Sequence, residues 1–241
     1  MIVAAHQPHY MPWLGYLDKI ARADLFVVMD DLQFEAQNFQ NRQRIKLGGG
    51  AAWLTVPVHR GQTDRICDKT IISSSNPRHD WPRRHWETLR INYGRAPFFS
   101  DHADELHDVY TRRWENLVDL DRHMLTLAMR WLDIRTPIVS SSQLMLSGHK
   151  TARILDMCTK LRAKTYYTGA GGSTDYLDVD QLARAGVAVE WQRFVHPTYQ
   201  QRHPRAGFSS HLGFLDLVLN CGPASRELLL GPAVEQIREV A

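Results

Sequence analysis

The chain has 241 residues, 44% of them hydrophobic and 23% charged, which is enough to bury the core of one compact domain. Its net charge of +3, from 29 basic and 26 acidic residues spread along the chain, gives no signal for nucleic acid as a primary target and suits an anionic small molecule. Mean hydropathy is −0.36, and no apolar run approaches the roughly 20 residues of a bilayer span, so a membrane partner is not expected.

Met1-Ile2-Val3-Ala4-Ala5-His6 has no basic leader and no long apolar stretch, so it reads as a first strand rather than a signal peptide, and the expected location is the cytoplasm. Cys67, Cys158 and Cys221 are odd in number and lack C-x-x-C spacing, which fits reduced thiols and argues against a disulfide framework or a zinc knuckle.

In chain order, Ile2 to Ala5 reads as a strand, Leu14 to Ala21 as a helix with Leu14, Leu17 and Ala21 on one face, and Leu25 to Val28 as a second strand. Such a short β-α-β unit implies adjacent parallel strands with a right-handed crossover, and ligands of such sheets bind at the strands' carboxyl ends. From Arg42 to Ile72 the pattern predicts short strands or a hairpin, with Trp53 to Val56 and Asp68 to Ile72 as strands and turns at Gly48-Gly49-Gly50 and Gly61. Arg78 to Leu132 is helical in pattern, with breaks near Gly94 and Pro97. After Pro137 the α/β alternation returns: helix Lys150 to Leu161, with Ser147 as its cap, strand Thr165 to Thr168, a glycine turn, helix Val179 to Arg184, and strand Val187 to Trp191. A last helix, Leu212 to Leu219, is expected to end on Gly222 as a left-handed cap.

The segment His6-Gln7-Pro8-His9-Tyr10-Met11-Pro12-Trp13-Leu14-Gly15-Tyr16-Leu17-Asp18-Lys19-Ile20 resembles the WbqC-like proteins. The resemblance continues through Asp30-Asp31-Leu32-Gln33-Phe34, Asn41-Arg42, the turn Thr168 to Gly172 with Tyr176, and Phe194 to Gln201, and so spans essentially the whole chain. It implies a setting in surface-polysaccharide or natural-product biosynthesis. His6-x-x-His9 at a strand end also looks like the H-x-G-H loop of nucleotidyltransferases, with Pro8 in place of the glycine that lets a phosphate approach the backbone. The expected fold class is therefore α/β: a parallel-sheet, Rossmann-like core of the nucleotidyltransferase (HUP-like) kind over residues 1–76 and 137–241, with a helical insert over 78–132, all in one WbqC-like domain.

The candidate catalytic residues are His6, Asp30 and His196, three groups at expected strand ends that are able to move or orient a proton. Candidate substrate-binding residues are Gln7, Tyr10, Trp13, Lys19, Asp31, Asn41, Arg42, Gly169, Gly171, Gly172, Tyr176, Tyr199 and Gln201. Among them Tyr10 and Trp13 offer aromatic walls, Lys19 and Arg42 offer charge for a phosphate or carboxylate, and the glycines let a ligand touch backbone. Each has a plainer alternative: His6 bracing its loop, Trp13 in the core, Asp30-Asp31 satisfying a turn and pairing with Arg42, His196 on a surface turn. His6-x-x-His9 lacks the glutamate of a zinc H-E-x-x-H helix, so no metal is expected. The activity these residues fit is acyl or aminoacyl transfer to an amino sugar or small polar metabolite, with His6 as general base. Its partners would be a nucleotide sugar or an acyl or aminoacyl donor. The rival reading is ATP-dependent activation of a carboxylate, with ATP as the cofactor, and a third is a non-catalytic subunit of a biosynthetic complex.

Overall fold

The structure, a computed structural model, describes residues 1–60, 65–72 and 80–231. The first apolar run forms β1 (Ile2–His6), which leads through a loop into α1 (Leu14–Ala21) and then β2 (Leu25–Val28). There follow an antiparallel hairpin, β3 (Arg42–Leu47) and β4 (Gly50–Thr55), and three helices, α2 (Trp81–Tyr93), α3 (Phe99–Thr111) and α4 (Leu117–Trp131). The chain then runs through β5 (Ile138–Ser140), α5 (Ser141–Leu144), α6 (Lys150–Lys160), β6 (Thr165–Gly169), α7 (Val179–Arg184) and β7 (Ala188–Gln192), and ends in α8 (Phe214–Cys221) and α9 (Ser225–Leu230).

β1, β2, β5, β6 and β7 form a five-stranded sheet in the order β5-β2-β1-β6-β7, every neighbouring pair parallel. The chain starts in the middle, builds outward through β2 to β5, then returns to the far side of β1 for β6 and β7. The strand order thus reverses between β1 and β6, where the carboxyl ends of a parallel sheet open a crevice.

Because successive strand residues point to opposite faces, each central strand supplies two cores. Ala4, Phe26, Val28 and Tyr167 pack into the larger one with α1, α2, α3, α4 and α8, whereas Val3, Ala5, Val27 and Tyr166 pack against α6 and α7 through Ile154, Met157 and Leu182. Burial on both faces explains why β1 and β2 read as continuous apolar runs rather than alternating ones. A fully buried side chain such as Leu17 contributes about 1.5–3 kcal/mol.

Several details differ from the pattern reading. Asp68 to Ile72 is not a strand: a 3-10 turn at Ile66–Asp68 gives way to isolated bridges, because Cys67 N–H donates to the Asp30 carbonyl at 2.8 Å and Ile71 N–H to Glu115 at 2.8 Å, stringing the segment between two elements. β5 was not anticipated, since three residues are too few to display a period. His149 rather than Ser147 caps α6; the Ser147 N–H instead donates to Asp156 at 2.8 Å. Gly222 ends α8 with φ 51° but ψ −126°, outside the left-handed helical region, and a Cβ there would meet the Phe98 ring at 2.4 Å. The turn expected at Gly61 and the helical start expected at Arg78 lie outside the described residues.

The helical layer carries a buried histidine. His85 on α2 lies with Nδ1 3.0 Å from the Tyr10 hydroxyl, which also bonds Tyr110 at 2.8 Å, and burial pushes its pKa from 6.5 down to about 3. Between these values the unfolded chain binds a proton on His85 and the folded chain does not, so stability is complete above about pH 6.5 and is lost as pH falls below it. One such group lowers stability by about 2 kcal/mol at pH 5. The denaturant midpoint is expected to fall between pH 7 and pH 5, and to fall less in His85→Gln; an equal fall in the variant would place the acid sensitivity elsewhere.

Candidate active site at the carboxyl edge

The loop from β1 to α1 is tied down along its backbone. The His6 carbonyl accepts from Met29 N–H at 2.8 Å, Tyr10 N–H donates to Phe39 at 3.0 Å, the Met11 carbonyl accepts from Gln43 Nε2 at 3.0 Å, and the Pro12 carbonyl accepts from Phe214 N–H at 3.0 Å. Trp13 then opens α1 and lies back over its first turn, which Gly15 permits: a Cβ on Gly15 would sit 2.2 Å from the indole. The indole packs against Phe194 and His211, with ring centroids 5.6 and 5.5 Å away.

These elements wall a cleft of about 900 Å³ at the sheet's switch point, between the ends of β1 and β6. His6, Gln7, Trp13, Lys19, Gly169, Gly171, Gly172, Tyr176 and His196 all line it, so most of the expected site converges. No carbonyl or side chain among the described residues accepts from the N–H groups of Gly171 and Gly172.

Lys19 and Glu35 bring opposite charges to this cleft, and Lys19 is the buried one. It is buried on α1, its Nζ lies 3.5 Å from where a Gly169 Cβ would be, and among the described residues it has no hydrogen bond or ion pair. The neighbouring Asp18 offers it no partner, because Arg22 Nε and Gln192 Nε2 each hold that carboxylate at 2.7 Å. Burial lowers the Lys19 pKa to about 8.

His6 sits beside it. Its Nδ1 lies 3.1 Å from the Gln7 carbonyl, to which it donates, so Nε2 of the neutral ring is an acceptor with no protein partner among the described residues. Burial first, then the Lys19 charge, pushes the His6 pKa down to about 3, against the Gln7 bond that raises it. The ring meets His9 at 4.7 Å and Tyr16 at 5.2 Å between centroids.

Other expected members stand elsewhere. Asp30 does not orient His6: its carboxylate accepts from Ser142 N–H at 3.0 Å, Ser142 Oγ at 2.9 Å and Ser141 Oγ at 3.2 Å, anchoring the start of α5. Asp31 holds Ser141 and Arg153. Tyr10 is wholly buried against His85 and Tyr110. Asn41 and Arg42 line a different cleft. Tyr199 and Gln201 donate to Asp216 at 2.8 and 2.7 Å, where Tyr93 also donates at 2.9 Å. His196 reaches the cleft, but both ring nitrogens are engaged, Nδ1 with Pro197 O at 2.8 Å and Nε2 with the His211 N–H at 3.1 Å.

Gln192, His211 and Glu35 line the cleft without having been anticipated. Gln192 follows the end expected for the last strand, so the strand-end rule reaches it one residue late. His211 and Glu35 lie on irregular segments that carry no periodic signal.

Among the described residues no group of three metal-ligating side chains comes together, and no helix is long and apolar enough to cross a membrane. Together the fold and cleft define a parallel α/β protein with an open cleft at the carboxyl edge of its sheet. A family model for the WbqC-like protein family matches residues 7–228, and the chain belongs to that family. It is 32% identical over 230 residues to the uncharacterized protein Rv1507c of Mycobacterium tuberculosis, covering 94% of this chain and 96% of that one. No solved structure matches the chain.

Asp30→Ala is expected to lower stability by about 1–3 kcal/mol by leaving the donors of α5 unpaired. Denaturant titration reads this loss, and an unchanged midpoint would mean that the anchor contributes nothing.

Proposed function

We propose that this WbqC-like protein is a transferase that moves an acyl or aminoacyl group from an anionic donor to the amine or hydroxyl of an amino sugar or small polar metabolite. The observation that carries this reading is the pairing, in one cleft, of a Lys19 ammonium and a neutral His6 Nε2 that both lack a partner among the described residues. Lys19 would hold a phosphate or carboxylate of the donor. His6 Nε2 would take the proton from the acceptor as it attacks the acyl carbon, and the Gly171 and Gly172 N–H groups would receive the developing oxyanion; its collapse breaks the bond from the acyl carbon to the rest of the donor, which leaves with the proton that His6 returns. The pKa of free His6 is low for a base; a bound anion beside Lys19 removes part of the charge that lowers it and so raises its basicity.

One observation favours ATP-dependent activation of a carboxylate as a second reading. Taken in chain order, the sheet strands run third, second, first, fourth, fifth, the order of the doubly wound nucleotide-binding sheets, and a nucleotidyltransferase-like core would seat phosphates beside Lys19 at this switch point. Against it, His6 presents an acceptor where a phosphate needs a donor, and Pro8 withholds an N–H.

Turnover assays with acyl thioesters, aminoacyl donors, and ATP plus amino acids, each with amino-sugar acceptors, separate the readings. Transfer without ATP consumption is expected, reduced about 10²–10⁴-fold in kcat by His6→Gln. Lys19→Met is expected to raise KM for the donor about 10–150-fold with a smaller effect on kcat. Consumption of ATP coupled to product would favour the second reading, and saturable binding without turnover would overturn both.

A further inference from the structure

A second cleft, of about 720 Å³, lies on the other side of the segment that bounds the first. Glu35 lines one cleft while Phe34, Ala36 and Gln37 line the other, and Gln40 braces the segment through a 2.9 Å bond to Gln7. Arg42, Arg60, His59 and Lys69 line this second cleft, and among the described residues no acidic side chain does.

Asn41 and Arg42 are only partly engaged within the described residues. Asn41, a lining residue of the cleft, is 8% exposed; its Nδ2 donates to the Val56 carbonyl at 2.8 Å, while among the described residues its buried Oδ1 has no donor. The Arg42 guanidinium is held in place, stacked 4.2 Å over the Trp53 ring and donating to the Gln37 carbonyl, while its Nε has no acceptor. Neither Arg42 nor Arg60 has a carboxylate partner among the described residues. A planar guanidinium fixed by stacking and left without a counter-ion is suited to a bidentate oxyanion, and a buried orphan carbonyl oxygen is suited to a hydroxyl.

We propose that this cleft is a second binding site, for a small phosphorylated polyol: Arg42 and Arg60 take the phosphate, and Asn41 Oδ1 accepts from a hydroxyl. The site is independent of the acyl-transfer reading, since it uses no residue of the first cleft. Its place across a shared wall lets the ligand be either a second substrate or an effector.

Isothermal titration at constant ionic strength with glycerol 3-phosphate, inorganic phosphate and glycerol tests this. Glycerol 3-phosphate is expected to bind once per chain and more tightly than either fragment. Arg42→Gln and Arg60→Gln are each expected to weaken it by about tenfold or more, the loss of a charge-assisted pair, whereas Lys19→Met leaves it unchanged. If Arg42→Gln fails to fold, the exposed Arg60 carries the test. No binding, binding that both arginine variants preserve, or binding that Lys19→Met abolishes would overturn the site. Equal affinity for inorganic phosphate would overturn the hydroxyl contact at Asn41.

Discussion

Between His6 and Trp13 the chain leaves the sheet, and its backbone groups are taken up by β2, the Phe39 segment, the β3–β4 hairpin and the start of α8. Prolines at positions 8 and 12 remove N–H groups that would otherwise need partners, and Met11 accepts a positive φ of 46° because the surrounding bonds hold it there. This anchoring fixes three things at once: where the His6 ring stands, where Trp13 lies, and how α1 approaches β6. The cleft inherits its rigidity from that loop rather than from its own side chains.

Several buried charged groups are met by hydrogen bonds or ion pairs, as Lys46 is by the Gly207 carbonyl and Ser209. Asp216 takes three hydrogen bonds, Asp30 is wrapped by the start of α5, and Asp18 is shared by Arg22 and Gln192. Asp121 has no hydrogen-bond partner among the described residues, and burial pushes its carboxyl well above the usual range, which favours the neutral form. Against this background Lys19 differs, a buried amine lining a cleft with neither a hydrogen bond nor an ion pair among the described residues. A buried ion is costly unless something pairs with it, and here the open side faces the place where a ligand would enter. Burial first, and then the same charge, keeps His6 neutral, so the two groups complement one another as anion holder and proton acceptor.

Much of the sheet was legible because parallel strands buried on both faces leave apolar runs, and β1 and β2 announce themselves that way. The strand-end rule pointed to His6, Gly169, Gly171 and Gly172, which line one cleft. It failed for Asp30, Asp31, Asn41 and Arg42, because the strand end says where the backbone arrives but not toward which neighbour a side chain turns. α5 takes both aspartates, and the β3–β4 hairpin carries Arg42 to another face. Tyr199 and Gln201 were misplaced for a similar reason: Asp216, distant in sequence, captures both. His211 and Glu35 depend on tertiary packing of irregular segments and leave no local trace.

The most direct test of the central claim is a heteronuclear NMR titration of the Lys19 side chain, assigned through Lys19→Arg. The account predicts titration near pH 8 in the free protein, from burial without a partner, and an upward shift when an anionic donor saturates the cleft. A Lys19 that titrates near its ordinary 10.5, or that stays unmoved while the donor binds, would contradict it.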